Sequence, residues 1–267
     1  MSGANRPCLA QYESHCGARP STGPHFFFPS DPMTTQSPKE IAALHAADLV
    51  QDGMVLGLGT GSTAAFLVHE LGRRCRDKGL QISGVCTSSA TEKIARIYPI
   101  KLLPLHANHP IDLCIDGADE IDPAGRMIKG GGGALLREKL VAAHAASILI
   151  IADSTKAVAQ LGRFPLPVEI VRFGDTVTRA RIERALGCVA RPRLSTDGEL
   201  FVTDEGNHIL DCHFADGRLP SPPEGVADRL AAMPGVVESG LFINLCDQAI
   251  LADPDGVQIH HFQRTTR

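Results

Sequence analysis

Short apolar runs without strict alternation recur along this chain, separated by stretches with apolar residues at helical spacing. "MVLGLG" (Met54 to Gly59) leads through a polar-glycine turn into "STAAFLVHELGRRCR", and "QISGVCT" leads into "SATEKIARIY". The runs "IKLLPL" and "IDLCID" follow, and "GALLREKLVAAHAA" precedes "SILIIAD". A strand with one wet face alternates apolar with polar residues, whereas a strand covered by helices on both faces is apolar throughout. The pattern therefore predicts an α/β fold with a doubly wound, mostly parallel sheet over roughly the first 160 residues. In front of it, "SPKEIAALHAADLV" reads as an amphipathic helix, with Ser37 as N-cap and proline at the first helical position.

After "FPLPVEIV" the texture changes to helix "DTVTRARIERAL", strand "CVARPRL", hairpin "FVTDEGNHILDCHF", helix "GVADRLAAM" and strand "VVESGLFIN". That order is close to a split βαββαβ unit and predicts a second, smaller α+β domain at residues 164–242. "QAILADPDGVQIHHF" holds one more apolar strand able to return to the large sheet, so the large domain is expected to comprise 37–163 plus 243–262. Residues 1–36 carry Pro, Gly, Ser and scattered charge, and their one apolar cluster, "HFFF", is too short for a signal-peptide core or a membrane span. They read as a disordered extension, and Met33, just before "TTQSPKE", offers a second place for translation to begin.

Composition narrows the function. A chain of 267 residues that is 43% apolar can bury an ample core. A formal net charge of -4 gives no global attraction to nucleic acid or to an anionic membrane, so neither is expected as a partner, and an anionic ligand must be held by local groups. None of the eight cysteines forms Cys-x-x-Cys, which fits reduced thiols in a cytoplasmic protein. The eleven histidines show no metal spacing, and His260 with His261 reads as part of a solvated tail; no bound metal is expected.

Three glycine-bearing turns carry the chemistry. "GLGTGSTA" (Gly57 to Ala64) lies between strand and helix, where backbone N–H groups, the helix dipole and the hydroxyls of Thr60, Ser62 and Thr63 can receive phosphate. A tight turn with a capping serine would use the same residues. A dinucleotide does not fit: Ser62 stands where Gly-x-Gly-x-x-Gly requires its third glycine, and "QISGVCTSS" ends without an acidic residue for the ribose. In "IDGADEID", Asp116 and Asp119 fall at the carboxyl end of a parallel strand, placed to bind hydroxyls or shuttle protons. An Asx-type turn is the plainer alternative there, and Mg²⁺ held by Asp116, Asp119 and Glu120 is a further one that lacks any accompanying histidine or polyphosphate motif. "KGGGGALLREK" sets the Lys129 charge and bare glycine N–H groups at the mouth of a helix, with Glu138 about one turn inside it, an oxyanion stabiliser beside a potential base. Finally, "IADSTK" places Lys156 just beyond a strand, as a surface charge or a second clamp on the ligand.

Together with "CTSSATEKIA", "FPLPVEI", "VTDEGNHILD" and "PGVVESGLF", these segments run in an order and spacing that resembles the ribose-5-phosphate isomerase family of type A, from about Ser37 to about Ile259. The resemblance implies a Rossmann-like large domain, a ferredoxin-like small one, and a homodimer or homotetramer. It also implies a cytoplasmic enzyme of the pentose phosphate pathway that interconverts ribose 5-phosphate and ribulose 5-phosphate without metal or other cofactor. Carried over residue by residue, Glu138 is the proton-transferring base. Substrate contacts fall to Thr60, Gly61, Ser62 and Thr63, to Asp116, Gly117, Ala118 and Asp119, and to Lys129, Gly130, Gly131 and Gly132. Lys156 and Lys39 complete the set, Lys39 near the phosphate. Aldose–ketose isomerisation needs a base that moves a proton from C2 to C1 and donors for the enediolate oxygen. Glu138 suits the first need and Lys129 with the glycine N–H groups the second, while Asp116 can assist ring opening and pass a proton between O1 and O2. Two rivals are a sugar-phosphate sensor, which would be expected to carry a DNA-reading helix-turn-helix, and an acyl-CoA transferase-like enzyme with a glutamate nucleophile.

Overall fold

The computed structural model describes residues 36–220 and 222–264. The chain runs α1 (Pro38–Ala47), β1 (Val55–Leu58), α2 (Ser62–Lys78), β2 (Ser83–Cys86), α3 (Ser89–Ala95), β3 (Lys101–Leu102) and β4 (Ile111–Asp116). A short hairpin of β5 (Glu120–Ile121) and β6 (Met127–Ile128) leads to α4 (Leu135–His144) and β7 (Ala145–Asp153). Next come β8 (Leu166–Ile170), α5 (Asp175–Leu186), β9 (Val189–Pro192), β10 (His208–His213), α6 (Pro223–Ala231) and β11 (Val236–Ser239). The chain closes with β12 (Leu241–Phe242), β13 (Gln248–Asp253) and β14 (Gly256–His261). The disorder expected for the N-terminal extension falls, Gln36 apart, outside the described residues.

The large sheet has the order β14-β13-β7-β4-β1-β2-β3, parallel throughout except for the β13–β14 pair. The chain starts at β1, winds to β2 and β3 on one side, then returns to β4 and continues outward through β7 on the other. The topological switch therefore lies between β1 and β4, and it is outside the carboxyl ends of such strands that open α/β sheets leave a crevice. Both faces are dry. Ala42, Ala43, Ala46 and Ala47 of α1 pack with Leu67 and Leu71 of α2 over Leu56 and Leu58. On the other face Val141 and Ala142 of α4 meet Cys114, Ile148 and Ile150. Ser37 caps α1 as expected, its side chain accepting the Glu40 N–H at 3.3 Å.

The second sheet is antiparallel, in the order β11-β8-β10-β9. Numbered within their own unit the strands stand 4-1-3-2, the ferredoxin-like arrangement expected, with α5 and α6 supplying Ile182, Leu186, Val226 and Leu230 to its core. Several local expectations change. "VVESGLFIN" is not one strand: it breaks at Gly240, whose N–H donates to the Pro167 carbonyl at 2.7 Å, and β12 then joins β6 and β5 in a separate small sheet. The hairpin expected over 201–213 forms only its second half, since residues 201–203 make a single bridge, Val202 to His208, and β9 takes the place beside β10. The tail reading of His260 and His261 also fails, because both lie on β14, an edge strand whose outer residues are polar and exposed. "IKLLPL" yields only the two residues of β3, with Pro104 ending the run.

Candidate active site

The turn after β1 and the turn after β4 face each other at the switch point. Gly59 is required there, because a Cβ would run into the Asp116 carboxylate. Asp116 ties the two turns together: its Oδ1 accepts the N–H of Thr60 at 3.0 Å and that of Gly117 at 2.7 Å. The Thr60 hydroxyl is held from the side by Thr87 Oγ1 at 2.7 Å and Ser88 Oγ at 2.8 Å, while Thr91 Oγ1 donates to the Gly59 carbonyl at 2.8 Å. Helix α2 starts at Gly61, φ +105°, with no side chain capping it, so its first N–H groups remain available to an anion. Lys39 of α1 crosses to this end and donates to Ser62 Oγ at 3.0 Å.

The second half of the cleft comes from β6, the glycine loop and α4. Lys129 follows β6 and is 3% exposed. Its Nζ donates to the Gly117 carbonyl at 2.6 Å and stands 3.0 Å from Asp116 Oδ2 and 3.4 Å from Glu138 Oε1. Burial opposes its charge, but the Asp116 and Glu138 carboxylates outweigh burial and hold the ammonium well above its ordinary range. Glu138, one turn into α4, is 3% exposed, and its Oε2 has no hydrogen-bond partner among the described residues. Burial pushes its carboxyl up to about 8; Lys129 pulls against that, and the negative charges of Asp116 and Asp119 add to it. Gly131 donates its N–H to Asp119 Oδ2 at 2.7 Å, and burial likewise raises the Asp119 carboxyl. Like α2, α4 begins without a capping side chain, at Ala134.

The resulting cleft is open to solvent and has a volume of about 100 Å³. Its walls bring together Lys39, Thr60, Gly61, Ser62, Thr63, Gly117, Ala118, Asp119, Lys129, Gly130, Gly131, Gly132, Glu138 and Lys156, every residue expected from the sequence except Asp116. Asp116 lies directly beneath, 1% exposed, against Lys129. The Mg²⁺ alternative loses its third ligand, because Glu120 turns away to accept the N–H groups of Gly162 and Phe164, both at 2.7 Å. Sequence reasoning gave no role to Thr87, Ser88 and Thr91. Their signal was the hydroxyl run "TSSAT" ending the second strand, which becomes meaningful only once β2 is known to lie beside β1.

Fold and cleft define a Rossmann-like α/β protein equipped for proton transfer on an anionic ligand, with a buried carboxylate–lysine pair between two uncapped helix N-termini. The family description ribose 5-phosphate isomerase A (phosphoriboisomerase A) matches residues 83–256. The ribose-5-phosphate isomerase A of Synechococcus sp. (strain JA-3-3Ab) is 52% identical over 222 residues, covering 82% of this chain and 95% of that protein. Among solved structures, the ribose 5-phosphate isomerase from Plasmodium falciparum superposes with a TM-score of 0.80 at 35% identity, over 84% of this chain and 97% of that one. A D-ribose-5-phosphate isomerase in complex with phospho-erythronic acid gives 0.79 at 32% identity over the same shares. This chain belongs to the ribose 5-phosphate isomerase A family.

Proposed function

We infer that the chain catalyses the reversible isomerisation of D-ribose 5-phosphate and D-ribulose 5-phosphate through an enediolate. The observation that carries the reading is the Glu138 carboxylate in the cleft wall, one oxygen without a partner among the described residues and the other 3.4 Å from the Lys129 ammonium. A base near the operating pH transfers protons with least waste in either direction, and burial places Glu138 there, at about 8. Glu138 removes the proton from C2 and returns it to C1. Lys129 and the loop N–H groups stabilise the oxygen that becomes negative in between. The phosphate sits at the α2 N-terminus, where Lys39, Ser62 and Thr63 converge, with Lys156 as a second cation at the rim. Asp119 orients the sugar hydroxyls. Asp116 keeps Lys129 charged, and its Oδ2 beside Nζ is the oxygen assigned to ring opening and to the proton passed between O1 and O2.

Family membership supports placing the reaction in the pentose phosphate pathway of the cytoplasm, in a homodimer or homotetramer. The separate apolar core of the antiparallel sheet supports a small domain at 164–242 beside a large one at 37–163 and 243–262. The direct test mixes purified protein with ribose 5-phosphate and EDTA and follows ketose formation. Turnover that survives the chelator is expected; a protein that forms no ketulose phosphate refutes the reading.

A further inference from the structure

The small sheet reaches the glycine loop of the cleft wall through a side chain that the mechanism above does not use. Arg193 follows β9, and its backbone is pinned on both sides: its N–H donates to the Ile209 carbonyl at 2.8 Å, and its carbonyl accepts the Phe201 N–H at 2.9 Å. Asp211 grips the guanidinium with both oxygens, Nε to Oδ2 at 3.0 Å and Nη2 to Oδ1. The remaining arm, Nη1, donates to the Gly130 carbonyl at 2.7 Å and to the Gly131 carbonyl at 3.2 Å. The side chain is 13% exposed, and the planar guanidinium serves the carboxylate and both carbonyls at once.

In a trans peptide the C=O and the next residue's N–H point in opposite directions. Drawing the Gly130 and Gly131 carbonyls toward Arg193 therefore aims the N–H groups of Gly131 and Gly132 the other way. Gly131 N–H meets Asp119 Oδ2 at 2.7 Å, and Gly132 N–H has no acceptor among the described residues while Gly132 lines the cleft. A run of four glycines has no side chains to enforce this orientation and loses the most backbone freedom in adopting it. If either peptide flipped, it would present a carbonyl oxygen to the enediolate, repelling the charge the site has to accept. We propose that Arg193, fixed by Asp211, is a positioning residue for the isomerisation, one that acts from the small sheet by holding the glycine-loop peptides with their N–H groups toward the reacting oxygens. The proposal rests on the isomerase reading of the cleft.

Three variants test it: Arg193→Ala, Arg193→Lys and Asp211→Asn. Loss of a preorganised oxyanion donor costs about 10²-fold in kcat, so Arg193→Ala is expected to lose about 10- to 100-fold in kcat. KM for ribose 5-phosphate should change by less than about 3-fold, since the phosphate is held at the other end of the cleft. Affinity for phospho-erythronic acid, whose carboxylate carries negative oxygens as the enediolate does, should fall along with kcat. Arg193→Lys should recover little, because a compact ammonium cannot span the separate positions that Nε, Nη1 and Nη2 occupy between Asp211 and the two carbonyls. Amide exchange at Gly131 to Gly133 in the ligand-free protein should quicken in Arg193→Ala, with the exchange of β1 and β4 unaltered. Should that variant not fold, Asp211→Asn, which keeps the arginine and loosens its anchor, gives the same readings in weaker form. A kcat and loop exchange within about twofold of the unsubstituted protein would overturn the proposal. Failure of the unsubstituted protein to isomerise ribose 5-phosphate would instead refute the function; the exchange comparison, which needs no substrate, would still decide whether Arg193 holds the loop.

Discussion

Glu138 carries opposite signs for activity and for stability. In the proposed role of base it works only deprotonated, so kcat/KM should rise as pH climbs through its raised value of about 8. Stability runs the other way. The folded protein holds the Glu138 proton more tightly than the unfolded chain does, so its contribution is complete below the ordinary glutamate range and is lost as pH rises through about 8. Glu138→Gln should cut turnover by about 10²-fold or more while phospho-erythronic acid still binds. It should also escape the loss of stability expected of the unsubstituted protein in urea unfolding as pH rises from about 4.5 to about 8. An activity profile flat across that range would exclude a base of this kind, and near-normal turnover by the glutamine variant would exclude Glu138 altogether. This residue was legible in the sequence because a lysine, a glycine run and a helix start announce their chemistry by spacing alone. The hydroxyls of Thr87 and Thr91 were not, since their meaning depends on which strand lies next to which.

At the scale of elements, the glycine loop is set by two different constraints. Gly133 has φ +81°, and a Cβ would enter the Phe201 ring, whereas Gly132 has an ordinary φ and would meet only Thr60 Cγ2, at 3.2 Å. Gly133→Ala should therefore cost about 1–3 kcal/mol from backbone strain and overpacking together, seen in urea unfolding. Gly132→Ala should leave stability within about 0.5 kcal/mol, typical of sites away from the core, and raise KM, because its methyl projects into the space the substrate needs. Equal stability losses in the two would show that the loop is governed by chain entropy rather than by these contacts. The strands β4 and β7 could be read directly from the apolar runs at their centres, Leu113 to Ile115 and Ile148 to Ala152. β12 and β14 could not: two residues are too few to show a period, and the polar outer face of β14 looks like a tail until β13 pairs with it. The ferredoxin-like order of the small sheet likewise rests on pairings between distant segments, such as β8 with β10, that no local pattern announces.

Across the whole molecule, α4 is where the two sheets meet at the site, and three consecutive residues divide the task. Glu138 faces the cleft; Arg137 reaches Glu205 at 2.5 Å and Asp204 at 3.0 Å; Lys139 reaches Glu238 Oε1 and the Ser239 carbonyl, both at 2.7 Å. Asp204 in turn accepts the Ser89 N–H at 2.8 Å, so the Arg137 contacts extend to α3 as well. The two links look alike as ion pairs but differ in burial. The Arg137 side chain is 35% exposed, in the range where water and salt leave a pair worth about 0–1 kcal/mol. Lys139 is 17% exposed, lies 4.9 Å from the centre of the Phe242 ring, and satisfies a backbone carbonyl at the end of β11. Burial draws its ammonium below the ordinary lysine range against the pull of Glu238, a sign that little water replaces the contact when it breaks. Lys139→Met keeps the packing stem and removes the charge, taking the lysine donor from the Ser239 carbonyl and leaving Glu238 with the Ser239 N–H. It should lose about 1–3 kcal/mol. Arg137→Ala should lose less than about 1 kcal/mol, and part of that should vanish in high salt. Urea unfolding of both variants at low and high salt decides the matter. If Arg137→Ala proved the more destabilising, the join between the sheets would run through the exposed Asp204 and Glu205 turn rather than through the buried lysine next to Glu138.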